Sequence, residues 1–292
     1  MPIATFSIAA TDGQDWGVAV ASKFLAVGSV VPAAVAGLGA IATQAMGNTS
    51  FKADGLRYLD QGLAAADVVA TLTAADPDRD HRQLGVVDKD GNGATFTGSA
   101  CFDWAGGRVG PGVACQGNIL TGAEVVDAMM ASFTSSHGGL TGRLLESLVA
   151  GDEAGGDRRG RQSAAILVVR TNAGYGGHDD RMVDLRVDDH PRPIPELQRL
   201  VRIWRLHFET PDPAELVPLD EAVLERVRRC LYRLGRTEPT ASREEAVDAL
   251  QAWAGMENLE ERCRSRDQVD PLVMSLLEER ASGQPERGPQ PA

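Results

Sequence analysis

Residues 5–22 read TFSIAATDGQDWGVAVAS, in which two alternating apolar runs flank an Asp-Gly turn. This pattern is a strong signal for a β-hairpin. A two-residue loop and a four-residue loop at the turn give the same register, with Thr5 opposite Ser22 and Thr11 opposite Trp16. The stretch therefore predicts two antiparallel strands in a fixed register.

The open end of this hairpin brings three polar side chains together. Directly opposed side chains share one face, with Cβ atoms about 4.5–5.5 Å apart, so Thr5, Ser22 and the adjoining Lys23 are predicted to meet there. Thr5 has two interpretations: an ordinary β-branched strand residue, or a hydroxyl nucleophile activated by its own α-amino group. The hairpin alone leaves both open.

The composition is that of an acidic globular protein. The chain has 292 residues with 43% hydrophobic content, which is enough to bury a sizeable core, and a net charge of −12 with a pI near 4.9. This charge opposes binding to nucleic acid and to anionic membranes, and we expect neither as a partner. Lysine occurs only at Lys23, Lys52 and Lys89, which sets Lys23 apart in its apolar surroundings.

No segment reads as a signal peptide or a membrane span. Residues 1–10 lack a basic region, and the apolar stretch 24–42 is interrupted by glycine and proline. The cysteines lie far apart without metal-site spacing, which favours buried free thiols in a reducing compartment. They are Cys101, Cys115, Cys230 and Cys263. We therefore expect a cytoplasmic protein.

Beyond the hairpin, strands and pairs of helices alternate. The pattern predicts a strand at 39–44, helices at 50–62 and 65–75, strands at 83–88, 94–98 and 112–116, helices at 121–135 and 140–150, and strands at 163–170 and 181–187. Thr121, with Glu124 three residues later, fits a capping box for its helix. Helix pairs between antiparallel strand sets favour an α+β fold, with helices on the outer faces of two stacked sheets.

A separate helical unit is predicted at the C-terminal end. Thr210-Pro211-Asp212-Pro213 reads as a linker. Three short amphipathic helices follow, at 220–234, 242–254 and 267–280. The predicted division is a domain over 1–209, a three-helix domain over 210–281, and a disordered tail over 282–292 that is rich in glycine and proline.

Several long stretches resemble a bacterial family known only as domain of unknown function 1028. They are residues 5–44, residues 81–120, GDRRGRQSAAILVV at 156–169 and GGHDDRMVDLRVDDH at 176–190. That family is placed in the N-terminal nucleophile (Ntn) hydrolase superfamily, so the resemblance implies a four-layer αββα sandwich. Residues 216–281 resemble a small helical module described as peptidoglycan-binding, which implies a three-helix accessory domain.

The resemblance also implies a mechanism. In Ntn hydrolases an N-terminal Thr, Ser or Cys attacks an amide carbonyl while its free α-amine, with an ordinary pKa of about 7.7–8.0, relays the proton. Thr5 would then be the nucleophile, with no cofactor. Because Met1-Pro2-Ile3-Ala4 precede Thr5, this requires cleavage of the Ala4–Thr5 bond, which Ntn precursors often perform on themselves. If that bond stays intact, the relay fails.

Residues near Thr5 have expected supporting roles. The Lys23 ammonium would favour the deprotonated amine or hydroxyl of Thr5 by charge proximity, and Ser22 would hydrogen-bond to Thr5. By the resemblance, Asp157 and Ser163 would support the terminal amine.

Other candidates would contact the substrate. At Gln116-Gly117-Asn118 the glycine allows close backbone approach, so backbone amides there would bind an oxyanion. Arg161 would bind a substrate carboxylate in a bidentate manner. Gln44 and Asn48, which flank the end of the third strand, would line the pocket. No metal site is predicted, because the clusters at 178–180 and 188–190 are typical of turn and cap residues.

These observations predict an Ntn-type amidohydrolase that cleaves a C–N amide bond of a small molecule, with Thr5 exposed by processing. The alternative is a non-catalytic binding or assembly protein of the same fold, associated with the cell wall through its C-terminal domain. A free Thr5 would favour the enzyme, and an intact Ala4–Thr5 bond the binding protein. We expect a small-molecule amide as substrate and a homodimer as the assembly.

Overall fold

The structure, a computed structural model, describes residues 5–283, which form nine α-helices and antiparallel β-sheets. The mixed α+β class is therefore as predicted. None of the described helices is both long and apolar enough to cross a membrane. The predicted cleavage segment Met1–Ala4 and residues 284–292 of the predicted tail lie outside the described residues, and Ser282 is the last residue of a helix.

The chain divides into two compact units, Met1–Leu200 and Val201–Ala292. The strands of the first unit are β1 (Thr5–Thr11), β2 (Trp16–Ser22), β3 (Pro32–Val35), β4 (Gly39–Ala45), β5 (Arg82–Asp88), β6 (Gly93–Thr97), β7 (Gly106–Gly110), β8 (Val113–Asn118), β9 (Ser163–Val169) and β10 (Arg181–Val187). Its helices are α1 (Val27–Val30), α2 (Ser50–Asp60), α3 (Ala65–Ala75), α4 (Glu124–Ser135) and α5 (Leu140–Glu153). The boundary between the two units, after Leu200, falls within a sixth helix, α6 (Pro193–Phe208).

The first hairpin forms with the predicted register. β1 pairs with β2 so that Thr5 lies opposite Ser22 and Thr11 opposite Trp16. On its other side β1 pairs with β8, which places Asn118 opposite Thr5. β1 is therefore an inner strand of a six-stranded sheet with the order β10-β9-β2-β1-β8-β7.

A second sheet, with the order β3-β4-β5-β6, faces the first. Over most of the interface the buried side chains are apolar: Ala9, Trp16, Val18, Val20, Ala40, Ala42, Val87, Ala114, Ala165 and Val169. Where β1 begins, the buried side chains are polar: Thr5, Ser7, Ser22, Gln44, Gln83, Gln116 and Asn118. The interface therefore changes from apolar to polar along β1, and we call these polar side chains the polar end.

Helices cover the outer faces of both sheets. α2 and α3 pack on the second sheet through a buried apolar cluster: Ile41, Phe51, Leu59, Val68, Leu72, Leu84 and Val86. α4 and α5 pack on the first sheet, where α5 lies across β1 and β2. The first unit thus consists of two facing sheets between two pairs of helices.

The start of α4 differs from the sequence prediction. The helix begins at Glu124 without a side-chain cap, so the capping box at Thr121 is wrong. The Thr121 N–H donates instead to Gly156 O at 3.1 Å, beside a bridge between Leu120 and Asp157. Because this pairing engages the backbone before α4, the helix cannot begin there.

The second unit contains the three predicted helices. They are α7 (Glu221–Arg233), α8 (Arg243–Met256) and α9 (Pro271–Ser282). The predicted start at residue 267 is too early, because β11 (Val217–Pro218) pairs with β12 (Gln268–Val269) just before α9. A single apolar cluster with Leu224, Leu250 and Leu277 at full or nearly full burial forms the core of this unit.

A buried arginine stabilises the second unit. The Arg262 guanidinium forms an ion pair with Asp270 and donates to the main-chain oxygens of Leu206 at 2.6 Å and Glu209 at 2.5 Å. The last carbonyls of a helix have no partner within it. Arg262 therefore satisfies carbonyl groups at the C-terminal end of α6.

Gly17 shows how closely α5 packs on the hairpin. A Cβ atom at Gly17 would lie 2.7 Å from Leu167 O and 2.8 Å from Leu144 Cδ1.

We expect Gly17→Ala to lower the free energy of unfolding by about 1–3 kcal/mol, because the backbone of β9 has to move. Gly142→Ala on α5 is the matched control. Nothing lies within 4 Å of its Cβ position, so it should raise stability by about 0.5–1 kcal/mol. Calorimetry of both variants checks this, and a Gly17→Ala protein as stable as wild type would contradict it.

Candidate functional site

Thr5 lies at the polar end of the interface. Its hydroxyl donates a hydrogen bond to Ser22 Oγ at 3.3 Å, and Thr5 is wholly buried in the uncleaved chain. Asn118 lies opposite it on the other neighbouring strand. The structure therefore brings together three of the predicted site residues from three strands.

Gln44 reaches Thr5 from the facing sheet. Its Nε2 donates to Thr5 O at 3.2 Å and to Gln83 Oε1 at 2.8 Å, and its Oε1 accepts from the Ser7 hydroxyl at 2.6 Å. Gln44 was predicted to line the site, whereas Gln83 was missed. The only sequence signal for Gln83 is a polar amide at the start of an otherwise apolar strand.

The segment Gln116-Gly117-Asn118 forms the end of β8, which extends two residues beyond the predicted strand. Gln116 Nε2 donates to Ser7 Oγ at 2.6 Å, so this side chain contacts Ser7 rather than the Thr5 hydroxyl. A Cβ atom at Gly117 would lie 2.4 Å from Leu120 Cδ1. The close approach that this glycine allows is therefore to a side chain of the same protein.

Asp157 is held beside the end of β2. Its buried carboxylate accepts from the Lys23 N–H at 2.8 Å and the Arg159 N–H at 2.9 Å, and it pairs with the Arg159 guanidinium at 3.2 Å. The exposed Lys23 ammonium donates to Arg161 O at 3.4 Å. Lys23 thus meets Asp157 through its backbone, while its ammonium lies against the loop that contains Asp157.

Two predicted site residues have other partners within the chain. The Ser163 hydroxyl donates to Phe24 O at 2.5 Å and accepts from the Val27 N–H at 3.1 Å, so it holds the segment after β2. The Arg161 guanidinium pairs with Asp152 at 2.6 Å. In the uncleaved chain, both side chains therefore connect loops at this end of the first unit.

Asn48 belongs to a different cluster. Its Nδ2 donates to Asp76 Oδ2 at 3.0 Å, and the same oxygen accepts from Arg82 Nε at 2.9 Å. The hydrogen bond from Arg82, with those from Asn48 and the Asp78 N–H, lowers the pKa of Asp76 to about 2. Asn48 therefore anchors the loop before α2.

The carboxylates of the Asp-rich cluster at 178–180 act as turn residues. Asp179 Oδ1 accepts from the Arg181 N–H at 2.9 Å and Asp180 Oδ1 from the Asn172 N–H at 2.9 Å. Within residues 5–283 no group of three or more His, Cys, Asp or Glu side chains is placed to hold a metal ion.

The fold and the site together define a two-unit α+β protein with a buried threonine at the polar end of two facing sheets. Residues 5–197 match the model of the family of unknown function DUF1028, and the chain belongs to this family. Residues 207–277 match a model described as "Putative peptidoglycan binding domain".

A solved structure supports the family assignment. The chain is similar to a Silicibacter pomeroyi protein whose crystal structure is described as a member of the same family. The two share 33% sequence identity with a TM-score of 0.63, over 69% of this chain and 89% of that chain. No curated protein matches this chain.

The low pKa of Asp76 makes stability depend on pH. The ionised carboxylate stabilises the fold fully above its unfolded pKa of about 3.9, and this contribution is lost as the pH falls towards the folded pKa of about 2. We expect Asp76→Asn to lower the free energy of unfolding by about 1–3 kcal/mol at pH 7, with a smaller difference from wild type at pH 2.

Urea denaturation between pH 7 and pH 2 measures that difference. Asp54→Asn is the control, because the pair between Asp54 and Arg57 is exposed and such pairs contribute about 0–1 kcal/mol. The prediction would be contradicted if the difference in free energy of unfolding between Asp76→Asn and wild type stayed constant down to pH 2.

Proposed function

We propose that the first unit is an Ntn-type amidohydrolase, in which cleavage of the Ala4–Thr5 bond makes Thr5 the nucleophile. The observation that carries the proposal is the place of Thr5. It is the first residue of an inner strand, and its hydroxyl lies 3.3 Å from Ser22 Oγ. Its carbonyl is held by Gln44 from the facing sheet. Two facing sheets between helix pairs support the expected αββα arrangement.

The chemistry follows from a free α-amine on Thr5. The amine takes the hydroxyl proton as Thr5 Oγ1 attacks the amide carbonyl, and the same proton then passes to the departing nitrogen. An ester of Thr5 forms as the C–N bond breaks, and water hydrolyses that ester. Because Thr5 is buried in the uncleaved chain, the site has to open before a substrate can reach the hydroxyl.

The neighbouring groups have supporting roles in this proposal. Asp157 and Lys23 supply electrostatic support beside Ser22, whose Oγ accepts from Thr5. Asn118 lies directly opposite Thr5, and in the proposal backbone amides of this segment bind the oxyanion, a type of contact that contributes about 10²–10³-fold in rate in known enzymes. The substrate is an amide of a small molecule.

The N-terminus of the purified full-length protein tests the proposal. We expect intact mass and N-terminal sequencing to show loss of Met1–Ala4 from wild type and from Thr5→Ser, which keeps a hydroxyl. We expect Thr5→Ala to stay uncleaved, because it has no hydroxyl to attack the Ala4 carbonyl. Thr11→Ala is the matched control, since Thr11 is a buried threonine at the other end of β1, and it should be cleaved normally.

A wild-type N-terminus at Met1 or Pro2 would overturn the amine-relay mechanism. That result would favour the alternative of a non-catalytic binding or assembly protein. Cleavage of Thr5→Ala at the wild-type rate would show that another group, or a protease, breaks the bond.

A further inference from the structure

Gln83 is a buried side chain beside the candidate site. It lies on β5, opposite Gln44 on β4, and is wholly buried. It hydrogen-bonds to both amide side chains that flank Thr5.

Both ends of the Gln83 amide are engaged. Its Oε1 accepts from Gln44 Nε2 at 2.8 Å and from Asn118 Nδ2 at 3.0 Å. Its Nε2 donates to Thr97 Oγ1 at 2.9 Å, to Gly117 O at 2.7 Å and to Gly106 O at 3.3 Å. Rotating this amide by 180° would set its NH2 group against two other NH2 groups, so its orientation is fixed by its partners.

The orientation of Gln83 sets that of its two neighbours. The NH2 group of Gln44 donates both to Gln83 Oε1 and to Thr5 O, the latter at 3.2 Å. Asn118 turns its NH2 group towards Gln83 from its position opposite Thr5. A single carbonyl oxygen thus orients both side chains that flank Thr5.

We infer that Gln83 is the positioning residue of the Thr5 site, acting through Gln44 and Asn118; this inference rests on the proposed function. In the self-cleavage step, Thr5 Oγ1 attacks the Ala4 carbonyl carbon, the C–N bond breaks as the ester forms, and the hydroxyl proton moves to the new amine. Water then hydrolyses the ester, which releases the Ala4 carboxylate and restores the hydroxyl. Because a misplacement of about 1 Å costs about 100-fold in rate, the Thr5 main chain has to be held still.

Two substitutions at Gln83 separate positioning from packing. Gln83→Glu keeps oxygens that accept from Gln44 and Asn118, whereas Gln83→Leu keeps only the volume. We expect cleavage of Ala4–Thr5, followed by intact mass over time after synthesis, to slow about 10- to 100-fold in Gln83→Leu and less in Gln83→Glu. A role in packing alone would give the reverse order, because leucine buries an apolar group and glutamate buries a charge.

A control variant elsewhere in the same unit separates the effect of lost stability from the effect of lost positioning. Leu72→Ala removes a buried side chain of α3 outside the polar end, which costs about 2–5 kcal/mol, and it should be cleaved at the wild-type rate. If Gln83→Leu does not fold, Thr97→Val takes its place, because it removes one acceptor of Gln83 Nε2 with little change in shape. A slower cleavage of Thr97→Val than of Leu72→Ala then supports the inference.

A double variant tests the route of the effect. If Gln83 acts through Asn118, Gln83→Leu should slow cleavage less in an Asn118→Ala background than in wild type, whereas its effect in a Leu72→Ala background should be unchanged. If wild type and Gln83→Leu are both cleaved, and at the same rate, the role of Gln83 is overturned and the proposed function stands. An uncleaved wild-type protein would overturn both.

Discussion

The structure of the first unit depends on hydrogen bonds between amide side chains buried where its two sheets meet. A buried amide without partners costs about 1–3 kcal/mol, and Gln44 and Gln83 bond to each other and to groups across the interface. Gln44 and Gln83 from one sheet bond to Asn118 and to main-chain oxygens of the other sheet. These directional bonds hold the two sheets in one relative position, since a shift of one sheet against the other would break them.

The same interface consists of an apolar region and the polar end. β1 is buried on both faces, and along the face that meets the other sheet it changes from Thr5 and Ser7 to Ala9. Apolar packing around Ala9 and Trp16 supplies non-directional stability, whereas the amides near Thr5 supply directional contacts. Close packing also limits the residue type at position 85, because a Cβ atom at Gly85 would lie 2.0 Å from Gln116 Oε1. That oxygen is buried without a hydrogen-bond partner among the described residues.

Local pairing could be predicted from the sequence, and contacts between distant segments could not. The Asp-Gly turn determined the register that places Thr5 opposite Ser22, because a hairpin is encoded by adjacent residues. Nothing in the sequence shows which residues of the second sheet face the first, so Gln83 was missed. Strands β3 and β7 were also missed, because one begins with a proline and is four residues long and the other is rich in glycine. Residue type suggested substrate contacts for Asn48 and Arg161, but their partners Asp76 and Asp152 appear only in the folded chain.

The polar end positions Thr5 with neutral groups. Gln44, Gln83 and Asn118 orient one another through dipoles and add no net charge beside the Thr5 carbonyl. Asp157, which has a proposed electrostatic role, pairs with the Arg159 guanidinium and two backbone N–H groups. In the proposed enzyme, geometry and charge are therefore controlled by separate residues. Neutral amides fix where the hydroxyl lies, and the loop that contains Asp157 sets the local field, so the two can change independently.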